Sequence, residues 1–85
     1  MDKLWAANAW LNYLEWHDSD IRVWTRINEL LKEIERTPFK GTGRPHPLKH
    51  DLRSLWSRGL TQEHRLVYRV EGRVLRILTC RGHYE

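Results

Sequence analysis

The C-terminal end of the chain carries side chains that could act on a phosphodiester. A β-like apolar run, residues 74–80, leads directly into Arg81, Gly82, His83 and Tyr84. A cation can bind phosphate, an imidazole can serve as acid or base, and a phenol ring can stack on a base. Chain ends are usually small and polar, so an aromatic, basic end attached to a strand indicates a functional role.

Three groups of this chain meet the needs of RNA cleavage without a metal ion. The reaction removes a proton from the ribose 2′-hydroxyl, stabilises the phosphorane and returns a proton to the 5′-oxygen. The candidates are His46, Arg65 and His83, because imidazoles titrate near neutrality and arginine holds oxyanions with a fixed fork of donors. Each proton-transfer group would raise the cleavage rate by about 10²–10⁴-fold. The residues alone leave open that Arg65 and His83 only occupy the sheet surface.

Other chemistries find less support in the sequence. The chain has no convincing carboxylate pair for glycosidase or protease chemistry. His46 and His50 are four residues apart, but Pro47 lies between them, which disfavours the helical spacing of a chelating pair. We therefore expect no metal and no cofactor. Cys80, the single cysteine, lies within an apolar run and is predicted to be a buried, inert thiol.

Length and charge restrict the class of protein. Eighty-five residues predict a single domain over 1–85. A net charge of +4 and a pI near 9.6 favour a polyanionic partner such as nucleic acid, although an ordinary surface rich in lysine and arginine is an equal alternative. No apolar stretch approaches the ~20 residues of a membrane span, and no signal segment is recognised. We expect a cytoplasmic protein without membrane contact.

Two amphipathic helices follow a short strand at residues 3–6. The first is predicted from apolar residues at helical spacing, with Asn8 as its cap: Trp10, Tyr13, Leu14 and His17. The second is predicted to be capped by Asp18 or Ser19 and to end at Thr37-Pro38. Its stripe comprises Ile21, Trp24, Ile27, Leu31 and Ile34. Four tryptophans near these stripes are expected in the core: Trp5, Trp10, Trp16 and Trp24.

Beyond a loop rich in glycine and proline, residues 37–47, the pattern predicts strands. They span residues 52–58, 64–70 and 73–81, with Glu71-Gly72 as a hairpin turn. The fold class is therefore α+β. A strict two-residue turn at Glu71-Gly72 would place Arg65 and His83 on opposite sheet faces. A single site that contains both residues requires a hairpin loop with an odd number of residues or a β-bulge, and we predict one of these.

Six short blocks occur in a fixed order between residues 36 and 84. They are RTPF (36–39), GTGRP (41–45), PLKH (47–50), WSR (56–58), EHRLVY (63–68) and RGHY (81–84). Together they resemble the Txe/YoeB branch of the RelE-like bacterial toxins. Any one block is weak, and the specificity comes from all six occurring together.

This resemblance implies a fold, an activity and partners. The fold is the RelE-like microbial ribonuclease fold, with two N-terminal helices packed on one face of an antiparallel-rich sheet. The activity is that of an mRNA interferase, an endoribonuclease that cuts message in the A site of the 70S ribosome and inhibits translation. The partners are a YefM-type antitoxin whose C-terminal segment covers the active site, and a second copy in a homodimer. Operator DNA would be contacted only through the antitoxin complex.

The resemblance also implies roles for individual residues. Arg65 would stabilise the phosphorane and His83 would be the general acid. Substrate binding would fall to Lys49, Arg58, Arg81 and Tyr84. Two positions depart from the family pattern: His46 stands where a glutamate base is expected, and Gly59 stands where a second arginine commonly follows.

These departures leave the level of activity open. A neutral imidazole can accept a proton, so we expect His46 to act as general base, with a pH optimum bounded by two imidazole-like titrations. Gly59 removes one phosphate contact, which chiefly lowers affinity. An alternative is an attenuated relative that binds antitoxin and ribosome without efficient cleavage. A third interpretation, a general basic RNA-binding domain, is less favoured because the glycine-flanked aromatic strand motifs of common RNA modules are missing.

Overall fold

Two helices and five strands form the described part of the chain. The computed structural model describes residues 1–83. Its elements are β1 (Asp2–Trp5), α1 (Ala7–Ser19), α2 (Ile21–Arg36), β2 (His46–Pro47), β3 (Trp56–Gly59), β4 (Arg65–Glu71) and β5 (Val74–Thr79). The strand order is β1-β5-β4-β3-β2, with β1 parallel to β5 and the other pairs antiparallel. The predicted α+β architecture is confirmed.

The main core lies between the helices and one face of the sheet. Helix α2 contributes a continuous buried stripe, which packs against alternate residues of β4 and β5. Each such aliphatic side chain stabilises the fold by roughly 1.5–3 kcal/mol relative to exposure. The stripe comprises Val23, Ile27, Leu30, Leu31 and Ile34, and the sheet residues beneath it are Leu66, Tyr68, Leu75 and Ile77.

The predicted cap of α2 is displaced by one or two residues. Helix α1 continues to Ser19, so the chain first becomes extended at Asp20, whose Oδ1 accepts from the Arg22 amide at 3.1 Å. Asp18 and Ser19 are therefore wrong as caps. The predicted end of α2 before Pro38 is confirmed, since Arg36 is its last residue. No helix within residues 1–83 combines the length and apolar character needed to cross a membrane.

Helix α1 differs from prediction at its start and on its outer face. Asn8 is not the cap, because the helix already starts at Ala7, and Asn8 Nδ2 donates to the Leu78 carbonyl at 3.1 Å. Trp16 is buried, but Trp10 is 46% exposed, so its assignment to the core is wrong. Trp10 instead packs edge-on against Trp5, with ring centroids 5.4 Å apart.

The strand predicted over residues 52–58 forms only in its second half. The Asp51 side chain accepts from the Arg53 amide at 2.9 Å, and Ser54 adopts a left-handed backbone at φ 59°. Both features turn the chain, and Leu52 is left fully exposed. Extended pairing with β4 begins at Trp56.

A β-bulge separates two registers in the β4–β5 hairpin. Glu71 pairs with Val74, so the turn is Gly72-Arg73, a two-residue connection. Tyr68 pairs with Ile77 and Val67 with Thr79, which leaves Leu78 as an extra residue in β5. The bulge is one of the two devices that the sequence required to bring Arg65 and His83 to one face, and that prediction is confirmed.

A second apolar cluster covers the sheet face opposite the helices. It joins Leu48 and Leu55 of the connection between β2 and β3 to Val67 of β4, with Leu78 packed at its edge. This cluster fixes the chain segment that follows His46 against the sheet. The cluster therefore supports the backbone next to the predicted catalytic residues.

Candidate active site

One cleft on the face opposite the helices contains all three predicted catalytic groups. The cleft has a volume of about 590 Å³ and is lined by His46, Pro47, Leu48, Lys49, His50, Asp51, Arg65 and His83. The volume is in the range of ordinary ligand sites. The structure thus brings His46, Arg65 and His83 together with Lys49. Tyr84, also predicted to bind substrate, lies outside the described residues.

His46 is presented in a defined tautomer. It belongs to β2 and pairs with Ser57 of β3, which holds the backbone at the cleft rim. Its Nδ1 lies 3.1 Å from the Arg44 carbonyl oxygen. A carbonyl only accepts, so Nδ1 carries the proton, and the neutral ring then has its lone pair on Nε2. This arrangement gives His46 a proton acceptor at Nε2, as a general base requires.

Arg65 is fixed by its neighbours in the sheet and retains donors for a ligand. Its Nε donates to Ser57 Oγ, and its backbone amide donates to the Gly82 carbonyl at 2.9 Å. Its Nη2 is buried without a hydrogen-bond partner among the residues described. A buried unpaired guanidinium donor is costly, and a phosphate oxygen in the cleft would satisfy it.

The segment that carries His83 is held by residues that the sequence did not identify. The Gly82 amide donates to His64 Nδ1 at 2.9 Å. The His64 ring packs edge-on against Trp16, with ring centroids 4.9 Å apart. Trp16 Nε1 in turn donates to the Cys80 carbonyl at 2.8 Å. His64 directly precedes Arg65 in the chain, but its role depends on contacts with residues distant in sequence, which no local pattern reveals.

Arg58 does not face the cleft, so its predicted role in substrate binding is wrong. The residue is fully buried, and all five of its donors are used. They reach the Tyr68 hydroxyl, the Glu33 carboxylate at 2.6 Å and the carbonyls of Thr37, Lys40 and Thr42. Arg58 therefore anchors the loop that leads to His46, and acts on the site only through that loop.

Two glycines let this loop close around Arg58 and Glu33. Gly41 has φ 121°, and a Cβ there would lie 2.0 Å from Glu33 Oε1. Gly43 has φ 86°, and its carbonyl accepts from the Gly59 amide at 2.8 Å. Hydrogen bonds from the Thr42 amide and hydroxyl, then the Arg58 guanidinium, lower the pKa of Glu33. The carboxylate is thus held in its charged form.

Arg81 also lies outside the cleft lining. Its guanidinium sits 4.8 Å from the Trp16 ring centroid, and Nη1 lies 3.8 Å from Glu15 Oε1. These contacts direct it toward helix α1. Its assignment to substrate binding stays a prediction, since the residue is exposed beside a neighbouring depression rather than in the cleft itself.

The remaining candidates for covalent or metal chemistry are separate from the cleft. Cys80 is buried in the main core, where desolvation raises the pKa of its thiol to about 12. Such a thiol is unreactive, as predicted. Across residues 1–83, no group of three histidine, cysteine, aspartate or glutamate side chains is arranged to hold a metal ion.

Comparison with known proteins identifies the family. Residues 5–84 match the family described as the YoeB-like toxin of bacterial type II toxin-antitoxin systems. Toxin YoeB of Escherichia coli K12 is 50% identical over 84 residues, which are 99% of this chain and 100% of that protein. The chain belongs to the YoeB-like toxin family. It is therefore the toxin of a toxin–antitoxin system, and the fold implied by the sequence blocks is confirmed.

Solved structures of YoeB-like toxins have the same fold. A YoeB dimer from Staphylococcus aureus superposes with a TM-score of 0.93 at 35% identity, covering 99% of this chain and 98% of that one. A heterotetrameric YoeB–YefM toxin–antitoxin complex from the same organism gives a TM-score of 0.90 at 35% identity, with the same coverage. Those relatives assemble with a second copy and with YefM.

Proposed function

We propose that this YoeB-like toxin is an mRNA interferase that cuts message in the ribosomal A site by metal-free acid–base catalysis. The observation that carries the proposal is the single cleft lined by His46, Arg65 and His83. The ribosome requirement rests on the family resemblance. Cleavage of message there inhibits translation, which accounts for the toxicity of the family.

The cleft supports a balanced reaction on the ribose–phosphate backbone. His46 Nε2 accepts the proton of the 2′-hydroxyl as the 2′-oxygen bonds to phosphorus. The bond between phosphorus and the 5′-oxygen breaks, and His83 donates a proton to that oxygen. Arg65 stabilises the charge on the phosphorane through its guanidinium, and Lys49 holds a phosphate oxygen. The products are a 2′,3′-cyclic phosphate and a 5′-hydroxyl.

Cleavage of message on translating ribosomes tests the proposal. His46→Ala and His83→Ala are each expected to lower the rate about 10²–10⁴-fold. His17→Ala is the matched control, since His17 lies exposed on α1, away from the cleft. An unchanged rate and pH profile for His46→Ala would remove His46 as the base. A wild-type chain that cuts no message but still binds the ribosome or the antitoxin would establish the alternative, an attenuated relative that only binds.

The partners follow the same reasoning. The S. aureus relatives form a dimer and a YoeB–YefM complex, and this chain is proposed to form a homodimer and to bind a YefM-type antitoxin. Operator DNA would be bound only through that complex. Co-expression with the cognate antitoxin should relieve growth arrest and give a co-purifying complex. A toxin that stays free of antitoxin at micromolar concentration would contradict this assignment.

A further inference from the structure

Beyond the cleft, the same sheet face carries two more depressions that continue from it. The middle one, about 400 Å³, includes His83, Arg81 and Arg53 in its lining. The end one, also about 400 Å³, includes Arg53, Arg69 and Arg76. The cleft and the middle depression share His83, and the two depressions share Ala6, Arg53 and Leu78. We call these two depressions the basic track.

Two arginines in the end depression are placed directly against each other. Arg69 of β4 pairs with Arg76 of β5, and like charges directly opposed across strands are destabilising. Glu71 is their shared counter-ion: it bonds Arg69 Nη2, while Arg76 Nε lies 3.6 Å from it, beyond hydrogen-bond range. Among residues 1–83 this leaves two guanidinium groups with one carboxylate.

Unsatisfied donors accompany this excess charge. Arg69 Nε and Arg76 Nε are buried without hydrogen-bond partners in the described part of the chain. Arg53 is held by Asp51 through two hydrogen bonds of 3.2 and 3.0 Å and is the less available cation. The end depression is therefore a site where an anion would both offset repulsion and pair with buried N–H groups.

We propose that Arg69 and Arg76 form a remote phosphate subsite for the substrate strand, which leaves the cleft past His83 and follows the basic track. This inference rests on the proposed ribonuclease function. A strand cut at an internal linkage must extend away from the scissile phosphate, and the track begins at His83 in the cleft. Leu4, which is exposed, and Leu78 line the end depression and offer an apolar surface for bases, while the guanidinium groups reach phosphates.

Binding of single-stranded RNA of two lengths tests the subsite apart from catalysis. The probes are a dodecamer and a trinucleotide, both with 2′-O-methyl sugars, which lack the nucleophilic 2′-hydroxyl and are not cleaved. The variant R69Q/R76Q should lose roughly tenfold or more in dodecamer affinity and keep its trinucleotide affinity. Its salt dependence should weaken by about 0.7 per lost phosphate contact. The control R22Q/R73Q removes two exposed arginines away from the track and should bind both probes like wild type.

Three results would overturn the subsite. One is unchanged dodecamer affinity in R69Q/R76Q at the wild-type salt slope. Another is an equal loss for both probes, which would indicate a general charge effect. The third is unchanged RNA binding with lost binding of an acidic peptide, which would assign the track to a protein partner. R69K/R76K keeps the charge and should retain most dodecamer affinity. A failure of wild-type cleavage would contradict the proposed function but leave these binding results interpretable.

Discussion

His64 Nδ1 accepts the Gly82 amide proton at 2.9 Å, one residue before the proposed general acid. The same nitrogen must carry a lone pair, so Nε2 bears the proton of the neutral ring. The ring also packs against Trp16. His64 therefore determines where the segment carrying His83 lies and acts as a positioning residue, without itself lining the cleft.

Replacing His64 should separate positioning from binding. His64→Asn keeps an acceptor close to the Nδ1 position, whereas His64→Leu has similar bulk and no acceptor. We expect His64→Leu to lower the single-turnover cleavage rate by up to about 10²-fold with little change in KM, because misplaced catalytic groups lose rate. His64→Asn should recover most of the rate. Equal losses in both variants would mean that the hydrogen bond has no positioning role.

Arg58 should be among the most important residues for stability. Its removal leaves three loop carbonyls and the Tyr68 hydroxyl without their donor, together with the Glu33 carboxylate. We expect Arg58→Met to lower the free energy of unfolding by about 3–5 kcal/mol, measured by urea denaturation. Arg58→Lys keeps the charge but lacks the planar set of guanidinium donors, and its free energy of unfolding should lie between those of wild type and Arg58→Met. A loss below about 1 kcal/mol would show that the loop is held by other contacts.

Stability should depend on pH through Glu33. Its folded-state pKa is lowered below the ordinary value of 4.5 by Thr42 and then Arg58. A carboxyl group whose pKa is lower in the folded state stabilises the fold at pH values above its unfolded-state pKa. This stabilisation is lost as the pH falls through the folded-state pKa. We expect wild type to lose stability from about pH 4.5 downward, and Glu33→Gln to be less stable at neutral pH with a flatter acid profile. Denaturation midpoints across pH provide the measurement.

The comparison needs a control on the same helix. Glu29 is exposed on α2, and Glu29→Gln should follow the wild-type acid profile. If Glu33→Gln and Glu29→Gln have the same profile, the hydrogen bonds to Thr42 do not stabilise the charged form in solution.

Restoring a cation at position 59 should strengthen RNA binding. A Cβ on Gly59 would lie 3.5 Å from Arg65 Nη1, which is an ordinary van der Waals contact. A side chain at position 59 therefore fits beside Arg65, the residue proposed to stabilise the phosphorane. We expect Gly59→Arg to raise RNA affinity and to steepen its salt dependence by about 0.7 for one added phosphate contact. Gly59→Gln adds similar bulk without charge. An equal gain from Gln would exclude the electrostatic explanation.

Local patterns predicted the elements whose stabilising contacts are periodic. The stripe of α2 was predicted because Ile27, Leu31 and Ile34 recur at helical spacing and all face the sheet. The cap was misplaced because helix boundaries are decided by a few competing side chains. Residues 52–55 were predicted as part of a strand, but the side-chain turn at Asp51 and the left-handed Ser54 redirect the chain.

Long-range relationships were predicted only where geometry constrained them. The bulge was predicted from the requirement that Arg65 and His83 share one site, and the structure contains it. The burial of Arg58 was not predicted, because its partners lie 10 to 25 residues away. The exposure of Trp10 was not predicted for a similar reason. A helical stripe does not show how much of the helix surface the sheet covers.

The extra residue in β5 has a consequence for how related chains can be compared. Leu75, Ile77 and Cys80 are all fully buried in the main core, so the inward-facing positions advance by two residues and then by three. That change of step is visible in a bare sequence. A relative whose inward positions kept an even step would turn its terminal imidazole toward the helices, and its length or active-site geometry would have to differ accordingly.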